Sequence, residues 1–209
     1  ACYYASIELI GYGVGRLIDF LQDAGELENT IVIFTSDHGE LLGDHGLIYK
    51  GCRFFESLVH VPMIISWPGR IESNLRSPAL VELVDLPHTI LEAADLEIPY
   101  TMQGQSLFGL LSGNENPEYH KPYVISEYND ALNQPNATHG SMYFDGRYKS
   151  ILYHNVNVGE LYDLKTDPDE FDNLWDDPAY ASLKCELLSR HFNALMLSSS
   201  AGVSRSAGY

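Results

Sequence analysis

Residues 35–51, Thr35-Ser36-Asp37-His38-Gly39-Glu40-Leu41-Leu42-Gly43-Asp44-His45-Gly46-Leu47-Ile48-Tyr49-Lys50-Gly51, concentrate groups that could do chemistry. Two Asp-His-Gly triplets stand seven residues apart, and Lys50 follows the second by four. Five ionisable residues (Asp37, His38, Glu40, Asp44 and His45) precede the first cation of the stretch, Lys50. Carboxylates crowded in this way repel one another unless a positive charge is placed among them, and a divalent cation would supply it. A carboxylate oxygen and an imidazole nitrogen on adjacent residues can face one ion where the chain turns. The flanking glycines let the backbone approach closely. The same Asp-His pair can also serve only as a turn and cap. Spacing alone leaves both readings open.

The elements that must place these groups can be read from hydrophobic patterning. Ile7, Ile10, Val14, Leu17, Ile18 and Leu21 recur in steps of three and four or adjoin that stripe, which predicts an amphipathic helix over Tyr3 to Leu21. Gly11, Gly13 and Gly15 interrupt it at about 1 kcal/mol each relative to alanine. No strand precedes them, so a nucleotide-binding loop is rejected in favour of a helix with close packing. Thr30–Thr35 and Val61–Ser66 are β-branched or apolar without alternation, as in strands buried on both faces of a parallel sheet. The chemical segment lies between them, at the carboxyl end of the first strand, where open α/β sheets bind ligands. Asp85-Leu86-Pro87 predicts a helix with Asp85 as N-cap and Leu86, Ile90, Leu91 and Ala94 inward. A short helix follows around Ser106–Leu111, and then a linker over Ser112–Pro117.

Beyond the linker the pattern becomes antiparallel. Strands are predicted over Tyr123–Ser126, Met142–Phe144, Arg147–Tyr153 and Glu160–Leu164, with Asp145-Gly146 as a type I′ turn. A helix from about Pro178 to Leu195 closes the fold, with Leu183, Leu187, Leu188 and Leu195 inward. The fold class is therefore α/β over 1–115. A small α+β antiparallel subdomain covers 116–197, and a Ser/Gly/Ala-rich tail covers 198–209.

Composition removes several function classes. The 209 residues are 45% apolar, enough for one substantial core. The net charge of −17, with only 12 basic residues, argues against nucleic acid and anionic membrane surfaces as partners. An anionic substrate would need a local metal ion or a placed cation. No apolar run is long enough to span a bilayer. Ala1-Cys2-Tyr3-Tyr4 shows neither a basic n-region nor an apolar h-region. Cys2, Cys52 and Cys185 form no C-x-x-C and no disulfide framework, so cytoplasmic, periplasmic and secreted locations all stay open for a soluble chain.

The segment T-S-D-H-G-E-L-L-G-D-H-G-L-x-x-K-G, followed by V-P-M-I-I-S-W-P-G-R, resembles the sulfatase family of the alkaline phosphatase superfamily. The resemblance continues through Val84–Leu91, Met102–Leu107, Glu160–Pro168 and Asn173-Leu174, in the family's order and over nearly the whole chain. It implies an α/β fold over 1–115 that is part of an alkaline-phosphatase-like mixed sheet flanked by helices, and that Asp37 and His38 are the late pair of metal ligands. Calcium is the usual ion, and manganese is possible where the pair is Asp-His. It implies that Lys50 contacts the sulfate and stabilises charge near the bridging oxygen, while His45 is a substrate-side or structural residue. Glu40, Asp44 and Glu56 then structure the loop.

Neither Cys2 nor Cys52 lies in the C-x-P-x-R or S-x-P-x-R motif that yields the family's formylglycine nucleophile. The two early metal aspartates of the family have no counterpart either. The resemblance is thus to the C-terminal portion only. It implies a sulfuric ester hydrolase acting on a sulfated small molecule or sugar. The nucleophile and early aspartates are expected in a missing N-terminal half, without which this polypeptide is inactive. Two other readings stay open: a phosphonate or phosphate diester hydrolase of the same superfamily, and a catalytically dead remnant or interaction module.

Overall fold

The fold was established from a computed structural model, which describes residues 2–129, 138–156 and 158–199. The expected tail falls largely on 200–209, outside the described residues.

The first helix, α1 (Cys2–Asp23), spans the predicted stripe and contains all three glycines, but none of its residues is buried. A side chain added at Gly11, Gly13 or Gly15 would meet nothing within 4 Å. The expected close packing is therefore absent among the described residues. The stripe faces no partner here.

The strands β1 (Val32–Thr35) and β2 (Met63–Ser66) flank the chemical segment as expected, yet they pair antiparallel, with Val32 opposite Ser66 and Thr35 opposite Met63. Continuous apolar character reports that both faces prefer cover and carries no information on strand direction. The expected parallel arrangement is therefore replaced by an antiparallel pair. Neither strand is fully buried, and Ile64 on β2 is 61% exposed. Between the strands, the four-residue helical turn α2 (Glu56–Val59) supplies the buried Leu58.

Helix α3 (Asp85–Ala93) occupies its predicted place with a different inward face. Its buried residues are Asp85, His88 and Thr89, while Ile90 and Ala94 are exposed. Asp85 is not a cap but the first helical residue. Its carboxylate accepts from the Glu82 and Gln105 backbone N–H groups, each at 2.8 Å, and from Lys121 Nζ at 2.7 Å. The short helix α4 (Phe108–Leu111) follows.

The remaining strands are β3 (Val124–Asn129), β4 (His139–Phe144), β5 (Tyr148–His154) and β6 (Val158–Asp163), and they form one antiparallel sheet in chain order. The β4–β5 turn places Phe144 opposite Lys149 and has positive φ at Gly146 but not at Asp145. A type I′ turn needs positive φ at both central residues, so that expectation fails. The Asp145 carboxylate instead accepts from the Arg147 and Tyr148 backbone N–H groups. Helix α5 (Ala181–Ser198) begins after a 3₁₀ turn, Pro178–Tyr180, capped by Asp177.

Strand alternation gives this sheet two working faces. Tyr143 and Leu161 point to one side, where Leu187 and Ala194 of α5 cover them. Met142, Ile151, Tyr153 and Tyr162 point to the other and bury Leu41, Phe54, Phe55 and Leu58. The second face therefore holds the loop that carries the chemical residues. Gly159 lets the strand pass beneath the Trp175 indole, which an added Cβ would meet at 2.3 Å.

Candidate active site

Asp37 and His38 stand just past the end of β1, where the chain leaves the strand. Gly39 follows because nothing larger fits: an added Cβ would lie 1.9 Å from the Ser57 carbonyl oxygen. The Gly39 N–H donates to the Leu58 carbonyl at 2.8 Å, and the Ser36 hydroxyl donates to the His38 carbonyl at 2.8 Å. The His38 N–H donates to Asp37 Oδ1 at 3.0 Å. That bond holds the Asp37 carboxyl below its ordinary range.

The partners of His38 fix its tautomer. Nδ1 lies 2.7 Å from the Gly39 carbonyl, which can only accept, so Nδ1 carries the proton. Nε2 lies 2.7 Å from Lys50 Nζ, an ammonium that can only donate, so Nε2 presents its lone pair. Asp37 Oδ2 lies 3.6 Å from the same nitrogen. A carboxylate oxygen and an imidazole nitrogen that accepts from the Lys50 ammonium thus face one another. Lys50, twelve residues away in the chain, is the cation that meets them. Asp37, His38 and Lys50 come together as one exposed cluster.

The donor chemistry, a carboxylate oxygen beside an unprotonated imidazole nitrogen, suits a divalent cation. It amounts to two donors. No group of three or more His, Cys, Asp or Glu suited to a metal occurs among the described residues. The pair therefore fits as part of a ligand set and not as a whole one.

His45 lies elsewhere. Its ring stacks on Phe55 with centroids 3.7 Å apart and planes 8° apart, and meets Phe171 at 5.1 Å. Its backbone takes φ of 50°, a left-handed conformation between Gly43 and Gly46, which also have positive φ. Glu40 accepts from the Leu41 N–H and Asp44 from the His45 N–H. Glu56 pairs with Lys149 at 2.5 Å and His60 at 2.9 Å. The Cys52 thiol is half-buried beside Gly140, and burial raises its pKa, which disfavours the thiolate. Cys2 and Cys185 are exposed.

Two buried ion clusters escaped the sequence reading. Lys149, wholly buried, reaches Glu170 at 2.7 Å, Glu56, and the Phe54 carbonyl at 3.1 Å. Lys121 reaches Glu82 and the wholly buried Asp85, each at 2.7 Å. A lysine inside an apolar strand, Tyr148-Lys149-Ser150-Ile151-Leu152, was the available signal for the first.

Comparison with known proteins decides the family. Residues 43–196 match the model for N-sulphoglucosamine sulphohydrolase, C-terminal. The chain belongs to this sulfatase family. It is 32% identical over 189 residues to an N-acetylglucosamine-6-O-sulfatase of Bacteroides thetaiotaomicron, covering 89% of the chain and 34% of that protein. It is 38% identical over 181 residues to arylsulfatase K of Mus musculus, covering 83% of the chain and 32% of that enzyme. The sulfatase chain thus spans about a third of the length of the curated relatives it matches, less than the half expected from its motifs. Among solved structures it superposes on one in complex with its substrate D-glucosamine-2-N,6-O-disulfate, with a TM-score of 0.83 and 28% identity over 93% of the chain and 40% of that one. It also superposes on the phosphonate monoester hydrolase of Silicibacter pomeroyi, with a TM-score of 0.79 and 28% identity over 91% of the chain and 39% of that enzyme. The alkaline-phosphatase-like α/β fold class is that of these sulfatase neighbours.

Proposed function

We propose that this chain is the C-terminal part of a metal-dependent sulfatase that hydrolyses sulfate esters of sugars. The convergence of Asp37 Oδ2, His38 Nε2 and Lys50 Nζ carries the reading. The sulfated glucosamine in the superposing structure and the N-acetylglucosamine-6-O-sulfatase relative support a sulfated sugar as substrate.

In this reading Asp37 and His38 contribute two ligands to a divalent cation, calcium or manganese, and the remaining ligands and a formylglycine nucleophile come from outside these residues. A bound cation would supply Lewis acidity at the ester and charge compensation at the sulfuryl oxygens. The Gly39 carbonyl keeps the His38 proton on Nδ1, so Nε2 faces the reaction as a lone pair. Lys50 presents a compact ammonium where negative charge grows on the departing oxygen. Its exposure suits this, because the ammonium can leave His38 for a sulfate without vacating a packed cavity. Local cations of this kind let an anion bind a protein whose net charge is −17.

Replacing Lys50 by alanine in the full-length protein that carries this chain is expected to lower kcat/KM on a 6-O-sulfated glucosamine roughly 100-fold or more, in the range seen when one charge-stabilising donor is lost. Unchanged kcat/KM would remove the role. The isolated 209-residue chain is expected to show no turnover, and measurable sulfate release from it would overturn that statement. The superposition on a phosphonate monoester hydrolase favours one second reading, hydrolysis of a phosphonate or phosphate diester. Parallel assays on sulfate and phosphonate esters separate the two by which kcat/KM is larger.

A further inference from the structure

Apart from the Lys50 Nζ contact with His38 Nε2 at 2.7 Å, the Lys50 segment has little of its own to hold it. Residues 46–50 are exposed. The hydrogen bonds inside the loop, Leu42 N–H to Ile48 O at 3.3 Å and Asp44 N–H to Leu41 O at 2.9 Å, tie it only to itself. Left-handed backbone at Leu42, Gly43, His45 and Gly46 makes this a tight fold. Its flanks are fixed by burial of Leu41, Phe54 and Phe55 against the sheet and by contacts that reach the turn after β6.

Upstream, the His45 ring stacks on Phe55 and meets the tilted ring of Phe171, which is itself 69% exposed. Downstream, Phe54 is buried at 2% exposure, and its carbonyl accepts from Lys149 at 3.1 Å. Lys149 also binds Glu56 and Glu170, and the Glu56 backbone N–H donates to the other oxygen of Glu170 at 2.7 Å. Glu170 thus closes a ring through Lys149, Glu56 and the backbone of the Lys50 loop. It is itself 3% exposed and adopts φ of 56° without being glycine, a conformation that costs free energy unless surrounding contacts enforce it. Burial raises its carboxyl pKa, against the pull of Lys149. A charge so buried belongs to a fixed geometry.

Building on the proposed role of Lys50, we infer that Glu170 and Phe171 are positioning residues for catalysis. Acting through Lys149 and His45, they set where the Lys50 ammonium stands relative to His38. The last sheet is in this respect part of the catalytic apparatus, although neither residue touches the reacting atoms. A displacement near 1 Å at a catalytic group is enough to cost about 100-fold in rate.

The test is a double-mutant cycle in the full-length protein that carries this chain. Glu170→Gln keeps the volume and one acceptor oxygen. It is expected to lower kcat about tenfold with KM little changed, since a displaced Lys50 weakens an interaction made mainly in the transition state. In a Lys50→Ala background the same substitution is expected to change kcat less than about twofold, because the group it places is gone. Phe171→Leu serves as the second variant should Glu170→Gln not fold, with the same pattern expected. Leu187→Val, on the opposite face of the sheet, controls for stability and is expected to lower Tm while leaving kcat unchanged. Equal fold-changes in both backgrounds overturn the inference, as does no change in either. A silent Lys50→Ala would remove the proposed role of Lys50 and this inference with it. A damaging Lys50→Ala beside a silent Glu170→Gln overturns this inference alone.

Discussion

His191 shows what burial does to a single titratable group. It is wholly buried on α5, with Nδ1 3.2 Å from the Ser150 hydroxyl, Nε2 without a hydrogen-bond partner and the Tyr143 ring stacked beside it. Burial first, and the nearby His154 second, lower its pKa to about 4. An unfolded histidine titrates near 6.5, so between those values the unfolded chain binds the extra proton. Stability from this group is complete above pH 6.5 and is lost as pH falls toward 4. The loss is on the order of 3 kcal/mol over that window. Urea midpoints at pH 7 and pH 4.5 should therefore differ less in His191→Gln than in the parent chain. Parallel pH dependence in the two proteins would refute the assignment. The sequence did not reveal this residue. The stripe of Leu183, Leu187, Leu188 and Leu195 was visible, but a histidine beside it reads as polar until the covering sheet is seen. Asp85, expected as an N-cap, is buried for a similar reason: Gln105 and Lys121, which satisfy it, lie 20 and 36 residues away.

Among the elements, legibility followed range. The period of α1, the strand runs and the helix at Asp85 are local patterns, and each formed at its expected place. Pairing direction, turn type and the polar inward face of α3 are set by partners distant in sequence, and each departed from expectation. The site divides in the same way. Asp37, His38 and Lys50 were legible as types and spacing, whereas the clamp by Lys149, Glu170 and Phe171 was not, since more than 90 residues separate Glu56 from Lys149. The joint between β1 and the loop gives a test of local rigidity. Gly39 passes so near the Ser57 carbonyl that a methyl group there forces the backbone of α2 or of the loop to move. Gly39→Ala is expected to destabilise the fold by about 1–3 kcal/mol, the usual cost of overpacking. It should also break the Gly39 N–H to Leu58 bond. A denaturation midpoint equal to that of the parent chain would show that the joint yields freely.

At the scale of the whole molecule two opposing terms govern how the isolated chain behaves. Tyr4 at 74%, Leu9 at 71% and Phe20 at 68% exposure leave α1 with uncovered apolar side chains, and exposed apolar patches favour association. Burying them against another copy is favourable by about 25 cal/mol per Å². Against this stands a net charge of −17 on every copy. At about 10 mM salt the screening length is about 30 Å, comparable to the molecule, and the repulsion acts across the whole contact. Near 1 M it falls to about 3 Å and only the apolar term survives at contact range. Self-association of the isolated chain is therefore expected to rise with salt, the reverse of what ion pairing between copies would give. Sedimentation velocity at the two salt concentrations measures it directly. Leu9→Glu together with Leu17→Glu should hold the chain monomeric at both, because both residues lie exposed on α1 and the substitutions remove no buried contact. Sedimentation independent of salt, or association that survives the double substitution, would place the sticky surface elsewhere, with exposed Ile64 on β2 and Leu197 on α5 the next residues to change.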